Sequence, residues 1–161
     1  MVKPNKSTKA QFEKDLADGE KFEKKVAEMA AKKYAYIGEP VVFPEEKAYY
    51  DFSIGHLKFE VKCDKRASDT GNLAFEWEYR DKPSGIARQE PHVWIHGMGE
   101  QGCDGILFAQ LDGLRTSVLS SFYEGKARYM KFLGDGCSGY LMKIEDVKEF
   151  MSDFEEEYVN D

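Results

Sequence analysis

The chain of 161 residues carries 30 acidic and 23 basic residues, a net charge of −7, and is 42% hydrophobic and 33% charged. That length suits one domain with one core, and the mixture is that of a folded chain, not a disordered one. No apolar run approaches the ~20 residues of a membrane span, and the opening MVKPNKSTKAQFEKD has no apolar stretch of the secretory kind. Three scattered cysteines, Cys63, Cys103 and Cys137, contain no CxxC pair. They argue against a disulfide framework or structural zinc and for a reducing, cytoplasmic setting.

Residues 1–9 read as a flexible basic arm. A helix is expected over Gln11–Lys33, with a break allowed near Asp18–Gly19. It places Phe22, Val26, Met29 and Ala30 on one stripe. Two alternating runs, YYDFSI and LKFEVKCD, flank Gly55–His56, which suits a two-residue type II′ hairpin. KRASDTG follows as a loop, NLAFEWEYR as a strand, and DKPSG as a turn. Two short buried strands are expected at 92–96 and 106–110, then a helix near Leu114–Tyr123 and a hairpin around GDGCSG. The chain closes on an acidic helix over 145–161, with Ile144, Val147, Phe150, Phe154 and Tyr158 on one side. This order points to an α/β fold with a mixed central sheet flanked by helices.

Charge is distributed unevenly along that order. Residues 145–161 hold eight acids and one lysine, which accounts for the whole net charge, whereas residues 1–33 hold nine lysines against six acids. The overall acidity therefore does not exclude a polyanionic partner. The acidic helix is expected to pack away from such a partner.

The chemistry concentrates between Asp51 and Lys62. With Gly55–His56 as the turn, Asp51 faces Glu60 across the strand pair, where Cβ atoms lie about 4.5–5.5 Å apart. Lys62, two residues on, shares the Glu60 face, while Phe52, Phe59 and Val61 point to the core. Two facing carboxylates repel unless a cation lies between them. A hard divalent ion such as Mg²⁺ suits that place, because it takes oxygen ligands and keeps several waters. With a lysine beside it, the arrangement suits metal-assisted phosphodiester hydrolysis. The bland alternative is an ion-paired patch on a solvated sheet face.

Asp51 followed by Glu60-Val61-Lys62 resembles the D…(D/E)xK core of the PD-(D/E)XK nuclease superfamily. Gly19-x-x-x-Glu23-x-x-Val26-Ala27 is similar to the first helix of Holliday junction resolvases and their phage relatives. Gly71–Glu78, Lys82–Ile86, Leu111–Arg115 and Gly134–Leu141 resemble later blocks of small phage and bacterial nucleases. Tyr50 stands where the family has proline. The resemblance implies a restriction-endonuclease-like core and a Mg²⁺- or Mn²⁺-dependent DNA endonuclease of bacterial or phage-infected cells. Branched or junction DNA is the favoured substrate. A restriction- or repair-type duplex nuclease, or a catalytically quiet DNA-binding module, is the alternative.

By that resemblance Asp51 and Glu60 bind the metal together with the Val61 carbonyl, and Lys62 orients the attacking water. Glu23 binds a second metal or a water on the first, with Glu20 as the other choice. Glu76 is a weaker candidate for the outer layer of the site. Lys65 and Arg66, after the ExK strand, and Lys82 and Ser84 in the following turn are candidate DNA contacts, with Arg80 and Arg88 nearby. Cutting both strands takes two sites, which points to a homodimer. His92, His96 and Cys103 carry little metal-site signal, because i,i+4 on a strand spans roughly 13 Å.

Overall fold

The computed structural model describes residues 8–46, 49–132 and 136–154. Helix α1 runs over Lys9–Lys33, so Lys9 and its N-cap belong to the helix and not to a loose arm. The Thr8 side chain accepts the Gln11 N–H at 3.2 Å and caps the first turn. The helix passes through Gly19 unbroken, although glycine costs about 1 kcal/mol in a helix interior. Tertiary contacts hold that turn: Lys65 donates to Asp18 at 2.9 Å, and the Gln101 amide donates to the Asp18 carbonyl at 2.8 Å.

Among the described residues ten strands follow the helix: β1 Val41–Val42, β2 Phe52–Ile54, β3 Leu57–Asp64, β4 Asn72–Tyr79, β5 Lys82–Pro83, β6 Val93–Met98, β7 Gly105–Gln110, β8 Ala127–Lys131, β9 Cys137–Lys143 and β10 Ser152–Asp153. Helices α2 (Ala67–Thr70), α3 (Leu111–Tyr123) and α4 (Ile144–Val147) lie between them. The strands form two sheets, a six-stranded one in the order β1-β2-β3-β6-β7-β10 and a four-stranded one in the order β5-β4-β9-β8. The larger sheet is mixed: β3 and β6 run parallel, and β2–β3 and β6–β7 are antiparallel. The fold is therefore α/β with a central mixed sheet. No helix among the described residues is long and apolar enough to cross a membrane.

Alternation along the strands sorts side chains into two cores. Phe59, Val61, Val93, Ile95 and Ile106 pack with Phe22, Val26, Ala27 and Ala30 of α1. The other face of the same strands supplies Trp94, Met98 and Leu107, which pack with Leu73 and Phe75 of β4 and with Leu114 and Val118 of α3. The large sheet is thus covered by α1 on one side and by α3 with the small sheet on the other.

Two expectations are corrected here. The strand at 72–79 does not extend the central sheet; it pairs with β9 from Asn72↔Lys143 to Tyr79↔Cys137. Helix α2 and Gly71, with φ of 71°, turn the chain out of the first sheet. The apolar side of β4 can then close over Trp94 and Leu107. The acidic segment is not a continuous helix either. It makes one turn, α4, and then β10, which pairs with β7 at Ser152↔Phe108 and Asp153↔Leu107. Met151 and Phe154 explain why: they belong to opposite cores, whereas i,i+3 positions on a helix share one face. Tyr158 and the rest of 155–161 lie outside the described residues.

The packing of α1 on the sheet turns on one absent side chain. A Cβ at Gly97 would lie 2.3 Å from the Phe22 ring, and Phe22 is fully buried. Gly97→Ala should destabilise the protein by about 1–3 kcal/mol in urea unfolding, the usual cost of overpacking. Phe22→Leu should recover part of that loss in the double variant, because the two positions touch. Additive losses would show that the contact does not set the helix height.

Candidate active site

The tight turn sets the register of the site. Gly55 has φ of 57° and His56 is not in the positive-φ region, as a type II′ turn requires. Phe52 then pairs with Phe59, and Ile54 with Leu57. Their rings stack at 4.7 Å on the α1 side, which sends Asp51 and Glu60 to the opposite face. The Asp51 amide donates to the Phe59 carbonyl at 2.8 Å, one residue off the strand register in which Phe52 is the partner of Phe59. Asp51 Oδ2 in turn accepts the Val61 N–H at 2.7 Å. Sequence reasoning assigned Val61 only a carbonyl role; its amide fixes the carboxylate.

Lys62 Nζ lies 3.5 Å from Glu60 Oε1, with the glutamate side chain 12% exposed and the lysine 47%. The glutamate of this face is therefore covered, while the lysine reaches solvent. Glu60 and Lys62 lie beside Trp94 and His96 of β6 in the parallel register, and Lys62 shares a cleft with Ala74 and Glu76 of the small sheet.

Burial dominates the electrostatics. It raises the Glu60 carboxyl to about 7, Asp51 adds to the rise, and Lys62 and Arg88 oppose it. Asp51 is also raised by burial, against the pull of the Val61 N–H, Lys62 and Arg88. Glu23, half-buried on α1, is raised to about 7 by burial first, then by Asp51 and Glu20, with Lys62 opposing. Glu20 itself is exposed. Three carboxylates thus have their pKa values raised because burial outweighs the pull of the nearby positive charges.

The other expected residues fall in different places. Lys65 is committed to α1, at 3.3 Å from Asp15 and 2.9 Å from Asp18. Arg66 and Lys82 are exposed. Ser84 is buried, and its hydroxyl donates to Glu76 in a short hydrogen bond. Glu76 lines a cleft of about 270 Å³ together with Lys62, Ala74, Trp94, His96 and Phe132. His92 Nδ1 accepts the Lys58 N–H at 3.0 Å. His96 is buried, and its Nδ1 accepts the Trp94 indole N–H at 3.2 Å; burial lowers its pKa to about 4. Arg88, which sequence reasoning grouped with Arg80 and Lys82, instead stacks on Tyr49, two residues before Asp51, and its charge opposes the rise of the Asp51 and Glu60 pKa values. Nothing local in the sequence signals this, because it depends on the turn at 84–87 folding back.

Among the described residues no group of three or more His, Cys, Asp and Glu side chains is drawn together closely enough to cage a metal. Mg²⁺ does not require such a cage; one or two carboxylates with waters and a substrate oxygen suffice. Asp51 and Glu60 meet that need: they are hard oxygen donors on one face, with raised pKa values that mark uncompensated charge. No protein-family model matches the chain, and no curated protein or solved structure matches it significantly.

The charge imbalance has a measurable consequence. A carboxyl whose pKa is raised on folding holds its proton more tightly in the folded state. Its contribution to stability is present below the ordinary value of 4.5 and is lost as pH rises through about 7. In metal-free protein, Glu60→Gln should therefore match the wild type in melting temperature near pH 4.5 and exceed it above pH 7. A variant less stable than the wild type at pH 8 would mean that the ionised glutamate is already compensated.

Proposed function

We propose that the chain is a divalent-metal-dependent DNA endonuclease of the PD-(D/E)XK type. The observation that carries this reading is the convergence of Asp51, Glu60 and Lys62 on one covered face of the β2–β3 hairpin, with Asp51 anchored to the Val61 amide. Fold analogy alone would not support it. The reading rests on the donor set, the shortage of positive charge around it, and a lysine within reach of the same face.

In this reading Asp51, Glu60 and the Val61 carbonyl hold Mg²⁺ or Mn²⁺, and Glu23 serves a second ion or a water near the first. The ion supplies Lewis acidity at the phosphate and lowers the pKa of water. Lys62, the most solvent-open member of the cluster, orients the attacking water with its ammonium group and offsets the negative charge that builds on the phosphoryl oxygens. Water oxygen bonds to phosphorus in line as the P–O3′ bond breaks. The products are a 5′-phosphate and a 3′-hydroxyl, the leaving oxygen taking a proton. The exposed Arg66 and Lys82 are the expected backbone contacts among the four proposed, since Lys65 is ion-paired and the Ser84 hydroxyl is engaged by Glu76. Branched DNA is the favoured substrate and intact duplex the alternative. Two copies acting together would cut both strands.

Cleavage of supercoiled plasmid and of a four-way junction with Mg²⁺ tests the reading. Asp51→Asn should abolish cleavage while DNA binding in Ca²⁺ persists. Lys62→Ala should slow the step ~10²-fold or more with affinity little changed, the usual loss for one acid–base or electrostatic group. A fully active Asp51→Asn protein would refute the metal assignment. A Lys62→Ala protein that only binds DNA more weakly would move Lys62 from chemistry to docking. Binding without cleavage by the wild type would favour the quiet DNA-binding module.

A further inference from the structure

Among the described residues, two buried side-chain polar atoms lack any hydrogen-bond partner, Arg88 Nε and His96 Nε2. A buried donor left unmatched costs about 1–3 kcal/mol, so each needs an account. His96 is buried against Trp94 and Phe75 at the wall of the cleft. Arg88 is different. It is only part-buried, its charge is felt by both Asp51 and Glu60, and yet none of the ion pairs among the described residues includes it. A guanidinium in this position leaves both carboxylates free to take a cation, and keeps its own donors free as well.

The protein holds this arginine firmly. Its guanidinium carbon lies 5.0 Å from the centre of the Tyr49 ring, a stacking that fixes the plane of the donor fork. Arg115 of α3 donates from Nη2 to the Arg88 carbonyl at 2.6 Å and from Nε to the Ile86 carbonyl at 2.8 Å. Asp112 orients Arg115 in turn, at 2.9 Å. Gly85, with φ of 52°, brings the turn so close to β4 that a Cβ there would lie 2.2 Å from the Glu76 carbonyl oxygen. A side chain with no hydrogen-bond or ion-pair partner has thus been anchored at its backbone and by its stacking on Tyr49, two residues before Asp51.

We propose that Arg88 binds the scissile phosphate, its guanidinium taking non-bridging oxygens of a DNA phosphodiester laid across Asp51 and Glu60. This rests on the nuclease reading for the identity of the substrate. The planar fork matches a phosphate bidentately, and no acceptor of the protein's own competes for its Nε–H. As water attacks phosphorus and the P–O3′ bond breaks, charge grows on the oxygens that Arg88 holds, so the contact strengthens in the transition state. Arg88 and Lys62 then approach the phosphate from different elements, the turn after β5 and strand β3.

Two measurements on the full chain test this. In steady-state cleavage of a DNA junction with Mg²⁺, Arg88→Gln should lower kcat by ~10²-fold with little change in KM, the usual size of one lost oxyanion donor. Arg88→Lys should recover only part of that loss, and millimolar guanidinium, but not sodium at equal ionic strength, should partly rescue Arg88→Ala. In the second measurement, inorganic phosphate is titrated with Mg²⁺ present while the Arg88 Nε–H signal is followed by NMR in arginine-labelled protein. Phosphate should shift that signal in the wild type, and Arg88→Gln should bind phosphate at least ~10-fold more weakly. If the wild type cleaves DNA while Arg88→Gln cleaves it equally well, the inference is overturned and the nuclease reading stands. If phosphate shifts the Arg88 signal but no DNA is cleaved, the anion site stands and the nuclease reading falls. An Arg88 signal indifferent to phosphate overturns the inference by itself.

Discussion

The placement of two carboxylates opposite each other under a covering layer is the constraint from which the rest of the site follows. The Gly55–His56 turn allows one register, and that register sends Phe52 and Phe59 to α1 and Asp51 and Glu60 to the other face. Once there, the pair is desolvated by burial, which Lys62 and Arg88 offset only in part. A patch of this kind is costly unless something is bound in it. The neighbours are arranged accordingly. The Val61 amide fixes Asp51, Lys62 stays open to solvent, and Arg88 stacks on Tyr49 without an ion pair to either acid.

The second sheet is what separates this site from an ordinary surface hairpin. By turning at α2 and Gly71 to pair with β9, β4 forms a layer over Trp94 and Leu107 of the central sheet. The same layer carries Glu76, which closes one side of the cleft next to Lys62. It also carries the turn at 84–87, which delivers Arg88. Fold and site are connected through this one change of direction. Acidic groups elsewhere are handled differently: Asp15 and Asp18 are balanced at once by Lys65, and burial does not dominate there.

Local rules recovered what is local. The hairpin, its register, the inward Phe52–Phe59 pair and the shared face of Glu60 and Lys62 follow from a two-residue turn and a period of two. The α1 stripe follows from a period near 3.6. The unbroken passage through Gly19 did not, because Lys65 and Gln101 hold that turn from distant parts of the chain. The split into two sheets was equally hidden, since β4 alternates as a central strand would and its partner β9 lies some sixty residues away. The closing segment was misread because Ile144, Val147, Phe150 and Phe154 are spaced as on a helix, while Met151 and Phe154 enter opposite cores. Among site residues, Ser84 and Lys65 read as exposed polar groups, and only tertiary contacts reveal that they are engaged. Arg88 was visible as a basic residue but not as a neighbour of Asp51.

The central claim is that the Asp51–Glu60 face is built to take a hard divalent cation. Titration of Mn²⁺ into the full chain, read by electron paramagnetic resonance of the free ion, tests this without DNA. The account predicts saturable binding near pH 8 that is lost in Asp51→Asn and in Glu60→Gln and retained in Glu20→Gln. Mn²⁺ binding that is unchanged in both Asp51→Asn and Glu60→Gln, or absent from the wild type, would contradict it.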